Sequence, residues 1–419
     1  MLHHMHTFGG KLSMNVSVVN DDLVIAGIEE ADESETPQIS KIPPDEFFAK
    51  HAFRVVYQTN NFLLPQLKDL VSKGDVLNIR PEYQRRLRWA TLQKSRLIES
   101  LLLNIPIPPI FLYETDEARY EVMDGQQRLN AIKEFLDGDF ALSGLEALSP
   151  LNGIRYSKAP PRVKRALDRA SLSAIVLLLE SDSERSPDNK FTITDVRRFI
   201  FDRLNTGGTK LNAQEIRNAI YPGAFNKAVV NLTRAKLFTD IFRIPPYIET
   251  NPNDYYENPD RQKNTLYSSM GDCQLVLRYF ALRDDENIRG SMKSMLDRAM
   301  AKRVSISQDE ANALETEYID ILTLANEIFG PKPFLLPADE KGRERLSAAL
   351  YDATLVALHR LWVYRSEFEA KHSEIKQRML NEYDQGSSAQ ILTGQGNTAQ
   401  AVKDRISLLE KILKEGAGI

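Results

Sequence analysis

The chain has 419 residues, of which 42% are hydrophobic, and a formal net charge of −4 at pH 7. A chain of this length can bury at least one full core and form two or three domains, and its charge excludes a generically basic nucleic-acid-binding protein. The single cysteine, Cys273, excludes an internal disulfide framework and a thiolate zinc cluster. Because no long apolar run and no secretory leader is evident, we expect a cytoplasmic protein that does not contact a membrane.

The N-terminal part predicts a leader followed by helices. Residues 1–45 begin with a histidine cluster, continue with an acidic stretch and show little periodicity, so we expect a mobile leader. Apolar residues at helical spacing then predict one helix over 63–71, stopped by Gly74, and another over 92–103. The prolines of 106–109 force an extended connection after the second helix.

A strand-rich segment follows the prolines. Residues 110–113 and 120–123 are short apolar runs separated by a polar turn, which predicts two paired strands. The sequence then gives a tight turn at Asp124-Gly125 and helical spacing over 129–136. The continuously apolar run 174–179 predicts a further strand, internal to its sheet.

The second half of the chain is predicted to be helical. Asn212 and Glu215 have the spacing of a helix N-cap and of an acidic side chain that reaches back to it from three residues later. Periodic segments, including 273–282 and 346–368, indicate helices from there to about residue 370. Residues 386–400 are rich in Gly, Ser, Gln and Asn and predict a flexible loop before a last amphipathic helix.

Five consecutive residues, Asp-Gly-Gln-Gln-Arg, lie where a strand ends and a helix begins, a place that attracts phosphate. Gly125 would let the backbone approach a ligand, and Arg128 can pair with phosphate oxygens. Gln126 and Gln127 offer neutral donors and acceptors. Asp124 could hold a magnesium ion or position a water. The alternative is a helix start capped by Asp124 with surface glutamines, and physical reasoning alone leaves both interpretations open.

A basic and aromatic segment before Trp89 is a candidate nucleic-acid site, because such side chains can stack on bases and contact phosphates. The candidate residues are Tyr83, Gln84, Arg85, Arg86 and Arg88. The alternative is a loop whose aromatic rings are core anchors and whose basic residues face water. A second basic run, residues 155–169, has six basic residues against Asp168 and equally fits phosphate attraction or a solvated face.

A glycine-containing loop between two predicted helices is a third candidate. Its backbone N–H groups and a lysine can surround an anion, although an ordinary helix–loop–helix connection explains it as well. The candidate residues are Asn205, Thr206, Gly207 and Lys210. The spacing is not that of a P-loop, and no zinc-protease, serine-hydrolase or dinucleotide-binding motif is present. His359, on an apolar helix, is interpreted as a satisfied core histidine.

Five ordered motifs together resemble the N-terminal domain of GmrSD-type restriction enzymes over residues 47–225. The motifs are Pro81-x-Tyr83-Gln84-Arg85, Leu97-Ile98-Glu99-Ser100 with Pro106-Ile107-Pro108, Asp124–Leu129, Arg203-Leu204-Asn205-Thr206-Gly207, and Gln214–Asn218. The resemblance implies an α+β fold class, with a small ParB/sulfiredoxin-like mixed α/β domain followed by a larger α-helical domain. The expected segments are a leader over 1–45, a nucleotide-binding domain over 46–185, a helical domain over 186–385, and a loop and helix over 386–419.

The resemblance also implies a nucleoside triphosphate with Mg²⁺ as the cofactor. Asp124, Gln127 and Arg128 become candidate catalytic residues, with Asp124 as the metal ligand. Some relatives hydrolyse nucleotide and thereby control DNA cleavage in phage defence. The pattern of an HNH nuclease domain is not evident after residue 225, so we do not expect this chain to cleave DNA alone.

Three functions stay open at this point. The first is a nucleotide-binding, NTPase-like protein acting in DNA-directed defence, with DNA and a separately encoded nuclease or other defence protein as partners. The second is a non-enzymatic nucleic-acid- or protein-binding module with a vestigial nucleotide cleft. The third is a ParB-like nuclease, which would require clustered acidic metal ligands.

Overall fold

The computed structural model describes most of the chain but not the candidate segments 80–88 and 204–211. The described residues are 19–20, 23–26, 28, 56–74, 76–79, 89–178, 200, 203, 212–248, 258–337, 345–383, 386–394 and 396–419.

Nine strands and seventeen α-helices lie within these described residues. The strands are β1 (Val19–Asn20), β2 (Leu23–Ala26), β3 (Val56–Leu63), β4 (Leu77–Asn78), β5 (Ile110–Asp116), β6 (Arg119–Asp124), β7 (Ser171–Leu178), β8 (Leu335–Leu336) and β9 (Arg345–Ser347). The helices are α1 (Leu64–Lys73), α2 (Thr91–Leu102), α3 (Gln126–Asp137), α4 (Pro161–Arg169), α5 (Ala213–Ile220), α6 (Ala224–Leu232), α7 (Lys236–Ile241), α8 (Pro259–Lys263), α9 (Thr265–Ser268), α10 (Gly271–Leu282), α11 (Met292–Lys302), α12 (Gln308–Phe329), α13 (Ala348–Arg360), α14 (Arg365–Ala370), α15 (His372–Tyr383), α16 (Gly386–Thr393) and α17 (Ala399–Ala417).

A five-stranded mixed sheet forms the first part of the fold, in the order β3-β7-β5-β6-β4. β5 and β6 pair antiparallel, with Leu112 opposite Val122, which confirms the two predicted paired strands. β7 lies between β3 and β5, so the prediction of an internal strand is also confirmed. β3 was not predicted from the sequence, because its polar-rich segment lacks a clear alternation of apolar and polar residues. It forms a strand by pairing with β7 over eight residues.

The sheet is covered by apolar packing on both faces. Alternate residues of the central strands, among them Ile110, Val122 and Val176, pack into a core with the helices of the N-terminal half. Their neighbours Met123 and Leu177 point to the other face and join the core of the helical half. Successive side chains of a strand point in opposite directions, so both sets must be apolar in a strand covered on both sides.

One end of this sheet carries the Asp-Gly-Gln-Gln-Arg sequence, and we call it the junction end. β6 ends there at Asp124, which is paired with Phe111 near the start of β5. β7 also begins at this end, because it runs parallel to β5 and its Ala174 pairs with Ile110, the first residue of β5. The parallel pairing of β4 with β6 directs the chain toward the same end as it leaves Asn78.

The second half of the fold is predominantly helical, so the chain is α+β as predicted. α10 and α13 are buried almost all round. The cap predicted at Asn212 is confirmed. The Asn212 side chain accepts a hydrogen bond from the backbone N–H of Glu215, and the Glu215 carboxylate accepts one from the backbone N–H of Asn212. None of the helices in the described part of the chain is both long enough and apolar enough to cross a membrane.

A second, small sheet has the order β1-β2-β9-β8. β2 pairs in parallel with β9, with Val24 opposite Arg345. These two N-terminal strands lie within the predicted leader and were not predicted, because no local pattern can reveal a pairing partner so far along the chain. A nearby contact also ties this segment to the helical half: the Gln274 side chain donates to the carbonyl of Ile28 at 2.8 Å.

The C-terminal segment differs from its sequence prediction in one part. Residues 386–393 form helix α16 rather than the predicted flexible loop, since Leu392 is fully buried and Arg405 donates to the carbonyl of Ile391 at 3.1 Å. The last amphipathic helix is confirmed as α17.

A buried ion pair joins two central helices of this half. Arg278 of α10 and Asp352 of α13 are almost completely buried, and Nη2 of Arg278 lies 2.5 Å from Oδ2 of Asp352. Burial raises the pKa of Asp352, and the positive charge of Arg278 opposes that shift. Nη2 of Arg278 also donates to the Asn397 side chain at 3.1 Å, which links the pair to the segment before α17.

A partly exposed polar cluster is centred on Glu317 of α12. Its Oε1 accepts from the Tyr279 hydroxyl at 2.5 Å and from Arg283, and Nδ1 of His359 lies 3.3 Å from the same atom. His359 is therefore satisfied as predicted, but it lies at the end of α13 and is only half-buried. Burial would raise the pKa of Glu317, but hydrogen bonds from His359, Arg283 and Tyr279 outweigh it and lower that pKa to about 2.

Glu317 should therefore make the fold sensitive to acid. Its pKa is depressed from a usual value of 4.5, so its contribution to stability is present above about pH 5 and is lost as the pH falls toward 2. We expect Glu317→Gln to lower the free energy of unfolding at pH 7 by about 1–3 kcal/mol and to flatten its decline between pH 5 and 2. Urea denaturation across this pH range measures both effects. Glu327→Gln, an exposed position on the same helix, is the control, and an acid profile of Glu317→Gln identical to that of the wild type would contradict the assignment.

Candidate functional site

The junction between β6 and α3 depends on Gly125. This residue has φ 101° and ψ 8°, a left-handed conformation that glycine adopts without strain. A Cβ at this position would lie 2.4 Å from Cγ2 of Ile110, so the close approach of β5 also requires glycine. Gly125 occupies the N-cap position, and no side chain caps the helix. The alternative in which Asp124 caps the helix is therefore wrong.

Asp124 instead pairs with Arg128 across the first turn of the helix. Nη2 of Arg128 donates to Oδ2 of Asp124 at 2.5 Å. The Asp124 side chain is half exposed, whereas only 12% of the Arg128 side chain is accessible. Burial lowers the pKa of Arg128, and the Asp124 charge opposes this effect. The site thus presents an exposed carboxylate in front of a largely buried guanidinium.

The same guanidinium holds the proline segment in place. Nη1 of Arg128 donates to the carbonyls of Pro108 and of Pro109, the latter at 3.1 Å. Phosphate was the partner predicted for Arg128 from the sequence, and these two carbonyls were not predicted. The available signal was the proline run itself, because prolines cannot form the regular ladder of a strand or helix interior and leave carbonyls for other donors.

The two glutamines differ in environment. Gln126 is buried, so it is not one of the surface glutamines of the alternative interpretation. Gln127 is partly buried, and its Oε1 accepts the backbone N–H of Trp89 at 3.1 Å. Trp89 is the first described residue after segment 80–88, so that segment rejoins the described chain beside Asp124–Arg128.

Two groups of candidate residues lie outside the described residues. They are Tyr83, Gln84, Arg85, Arg86 and Arg88 of the nucleic-acid candidate, and Asn205, Thr206, Gly207 and Lys210 of the anion-binding loop. The first segment is flanked by β4 and Trp89, both described at the junction end. The second is followed by the capping box of α5.

The described residues contain no set of three or more His, Cys, Asp or Glu side chains that could hold a metal ion. Asp124 is therefore not part of an all-protein metal cage within this part of the chain. Its half-exposed carboxylate fits a cation that takes most of its ligands from a bound molecule and from water, as Mg²⁺ usually does in complexes with phosphates.

The motif Gln214–Asn218 has a packing role. Arg217 is 2% exposed, and its Nε donates to Oδ1 of Asp297 on α11 at 2.8 Å. Gln214 and Asn218 are also buried and bonded to each other at 2.8 Å. These residues attach α5 to the helical half and do not form a surface that a ligand could reach.

Comparison with known proteins identifies one family. Residues 67–222 match the family described as GmrSD restriction endonuclease, N-terminal domain. The matched range extends from α1 to the end of α5 and includes the whole junction. No curated protein and no solved structure matches the chain significantly.

Gly125 should be more sensitive to substitution than other left-handed glycines of the same helix. Gly125→Ala brings both conformational strain and a clash with Ile110, whereas Gly138→Ala, at φ 85° with no atom within 4 Å of the added Cβ, brings strain alone. We expect Gly138→Ala to cost about 1 kcal/mol and Gly125→Ala at least about 2 kcal/mol more. Urea denaturation of both variants checks this, and equal losses would show that β5 does not constrain the junction.

Proposed function

We propose that this chain, whose residues 67–222 belong to the N-terminal domain family of GmrSD restriction endonucleases, binds a nucleoside triphosphate with Mg²⁺ and acts in restriction of foreign DNA. The observation that best supports nucleotide binding is the helix start at Gly125, which lacks a capping side chain. Backbone N–H groups and the helix dipole favour an anion there, and glycine lets phosphate oxygens approach the backbone.

Each polar side chain of the junction has a role in this proposal. Asp124 would supply one carboxylate to Mg²⁺, and the phosphates and water would supply its other ligands. Arg128 would place positive charge behind the phosphates while it holds Pro108 and Pro109. The side-chain oxygen of Gln127 accepts the Trp89 N–H, and this contact would hold Gln127 beside the bound phosphates.

The remaining candidates complete the proposed cleft. Residues 83–88 would line the cleft or its nucleic-acid entrance, since both flanks of this segment lie at the junction end. Lys210, with Asn205, Thr206 and Gly207, would contact the nucleotide from the loop before α5. DNA and a separately encoded nuclease or other defence protein are the proposed partners.

One observation favours a second function, a binding module with a vestigial nucleotide cleft. Arg128 is already engaged by Asp124 and by two carbonyls, so a phosphate would have to compete for a guanidinium that is largely used in packing. A nuclease within the described part of the chain has no comparable support, because clustered acidic metal ligands are absent there.

Nucleotide binding should depend on Asp124 and not on the opposite end of the same strand pair. We expect Asp124→Asn to weaken Mg²⁺-dependent binding at least about tenfold, because it removes a charged ligand and a charge-assisted hydrogen bond. Asp116→Asn, an exposed position at the far end of β5, is the matched control and should bind like the wild type. Calorimetric titration with each of the four ribonucleoside triphosphates, with phosphate release measured in parallel, tests this.

Arg128→Lys provides a second test because it keeps the charge but loses the fork that reaches both Asp124 and the proline carbonyls. The binding results of Asp124→Asn and Arg128→Lys count only if urea denaturation shows that each variant unfolds cooperatively. A folded wild-type protein that binds none of the four nucleotides would favour the module function instead.

A further inference from the structure

The outer face of α4 carries a row of three arginines, Arg162, Arg165 and Arg169, which we call the arginine stripe. Their i, i+3, i+7 spacing places them on one side of the helix, over a length of about 10 Å. All three are exposed. Leu167, the one buried residue of α4, lies on the opposite side and packs into the core under the sheet. The stripe therefore points directly away from the protein.

The arginine stripe forms no ion pair with any described carboxylate. Asp168, the acidic residue of α4, lies beside the stripe and accepts from the Tyr156 hydroxyl at 2.9 Å. Several other basic side chains of the N-terminal half do form ion pairs. These pairs are Lys68–Asp137, Lys94–Glu134, Arg96–Glu146, Arg128–Asp124 and Lys133–Asp137. The stripe thus places three positive charges without a described acidic partner on one helix face.

The stripe does not serve the stability of α4. Like charges three and four residues apart repel each other on a helix. Arg162 also lies in the first turn, where the helix dipole disfavours a cation and where α4 has no acidic residue. Arg169 lies in the last turn, where the dipole favours a cation, so the three arginines together bring α4 little net stability. A bound anionic partner is the better explanation of their placement.

The stripe leads to the junction end of the sheet. Arg169 is the last residue of α4, and β7 begins two residues later at Ser171. The Ala170 carbonyl accepts the N–H of Leu64 at 3.0 Å, which fixes the end of α4 to the start of α1. The helix is also held from its other side, where Lys164 donates to the Ser157 carbonyl at 2.8 Å. A partner on the stripe would meet a surface that is fixed to the junction end of the sheet.

We propose that the arginine stripe binds the phosphate backbone of double-stranded DNA. A row about 10 Å long spans about three intervals between successive phosphates of one strand, each about 3.4 Å along the helix axis. Guanidinium groups form forked hydrogen bonds with phosphate oxygens, and contacts of this type are independent of base sequence. The inference rests on the proposed function, in that restriction makes DNA the target. It adds a surface that is separate from Asp124–Arg128.

The salt dependence of DNA binding tests the assignment. The slope of log K against log salt is negative, and each lost phosphate contact should reduce its magnitude by about 0.9. Arg162→Gln/Arg165→Gln/Arg169→Gln should therefore reduce it by about 2.7, which corresponds to a loss of affinity of about 500-fold at 0.1 M salt. The control is Lys73→Gln/Arg119→Gln/Lys227→Gln, which removes the same charge from exposed sites elsewhere. It should leave the slope near that of the wild type.

Fluorescence anisotropy of the full chain with duplex DNA gives the slopes of log K against log salt. Duplex RNA serves as a competitor, and the nucleotide titration is repeated on each variant. A slope unchanged in the stripe variant while the wild type binds DNA would overturn the inference and leave the proposed function intact. Wild-type protein that binds no duplex DNA, with or without nucleotide, would overturn both the stripe and the DNA part of the function. A preference for duplex RNA would overturn the choice of DNA.

Thermal unfolding separates binding from folding. Because the stripe brings α4 little net stability, the stripe variant should melt close to the wild type and should bind nucleotide equally well. A lower melting temperature would show that the arginines stabilise the fold and would contradict the inference.

Discussion

The central strands of the five-stranded sheet must be apolar on both faces, and much of the structure follows from this constraint. Val122 packs against the helices of the N-terminal half, while the adjacent Met123 packs against the core of the helical half. A strand buried in this way carries polar groups at its ends or pairs them inside the fold, as it does the buried Glu121 of β6. Asp124 follows the apolar pair and is exposed, so the junction end presents a polar side chain to solvent.

The junction illustrates how one residue can serve both structure and a proposed ligand. Arg128 joins the start of α3 to Pro108 and Pro109, and so fixes the entry of the chain into β5. A largely buried guanidinium has already lost most of its hydration, and it is balanced here by the Asp124 carboxylate. An anion bound at the helix start would therefore interact with a guanidinium whose cost of desolvation the fold has already compensated.

Local signals in the sequence were sufficient to predict the strands, turn and helix at the centre of the N-terminal half. The strand pair around residue 117, the turn at Gly125 and the start of α3 all follow from short patterns, and the continuous apolar run of β7 indicated its internal position. The Asn212–Glu215 cap was equally readable. In each case the deciding interaction lies within a few residues of the signal.

The features that escaped prediction depend on distant partners. β3 has a polar-rich sequence and is a strand because β7 lies beside it. Arg128 is separated from Pro108 and Pro109 by 20 and 19 positions in the sequence. Arg278 and Asp352 are 74 positions apart. A charge run such as 155–169 also cannot show which arginines lack partners, since that depends on the carboxylates nearby in space.

The small second sheet has a consequence for the order in which the chain can fold during synthesis. Val24 and Arg345 are 321 positions apart, so β2 emerges from the ribosome long before its parallel partner exists. At typical translation rates the delay is on the order of tens of seconds. β2 can therefore take its final place only after most of both cores has been made, and its docking closes the structure by joining the beginning of the chain to the helical half.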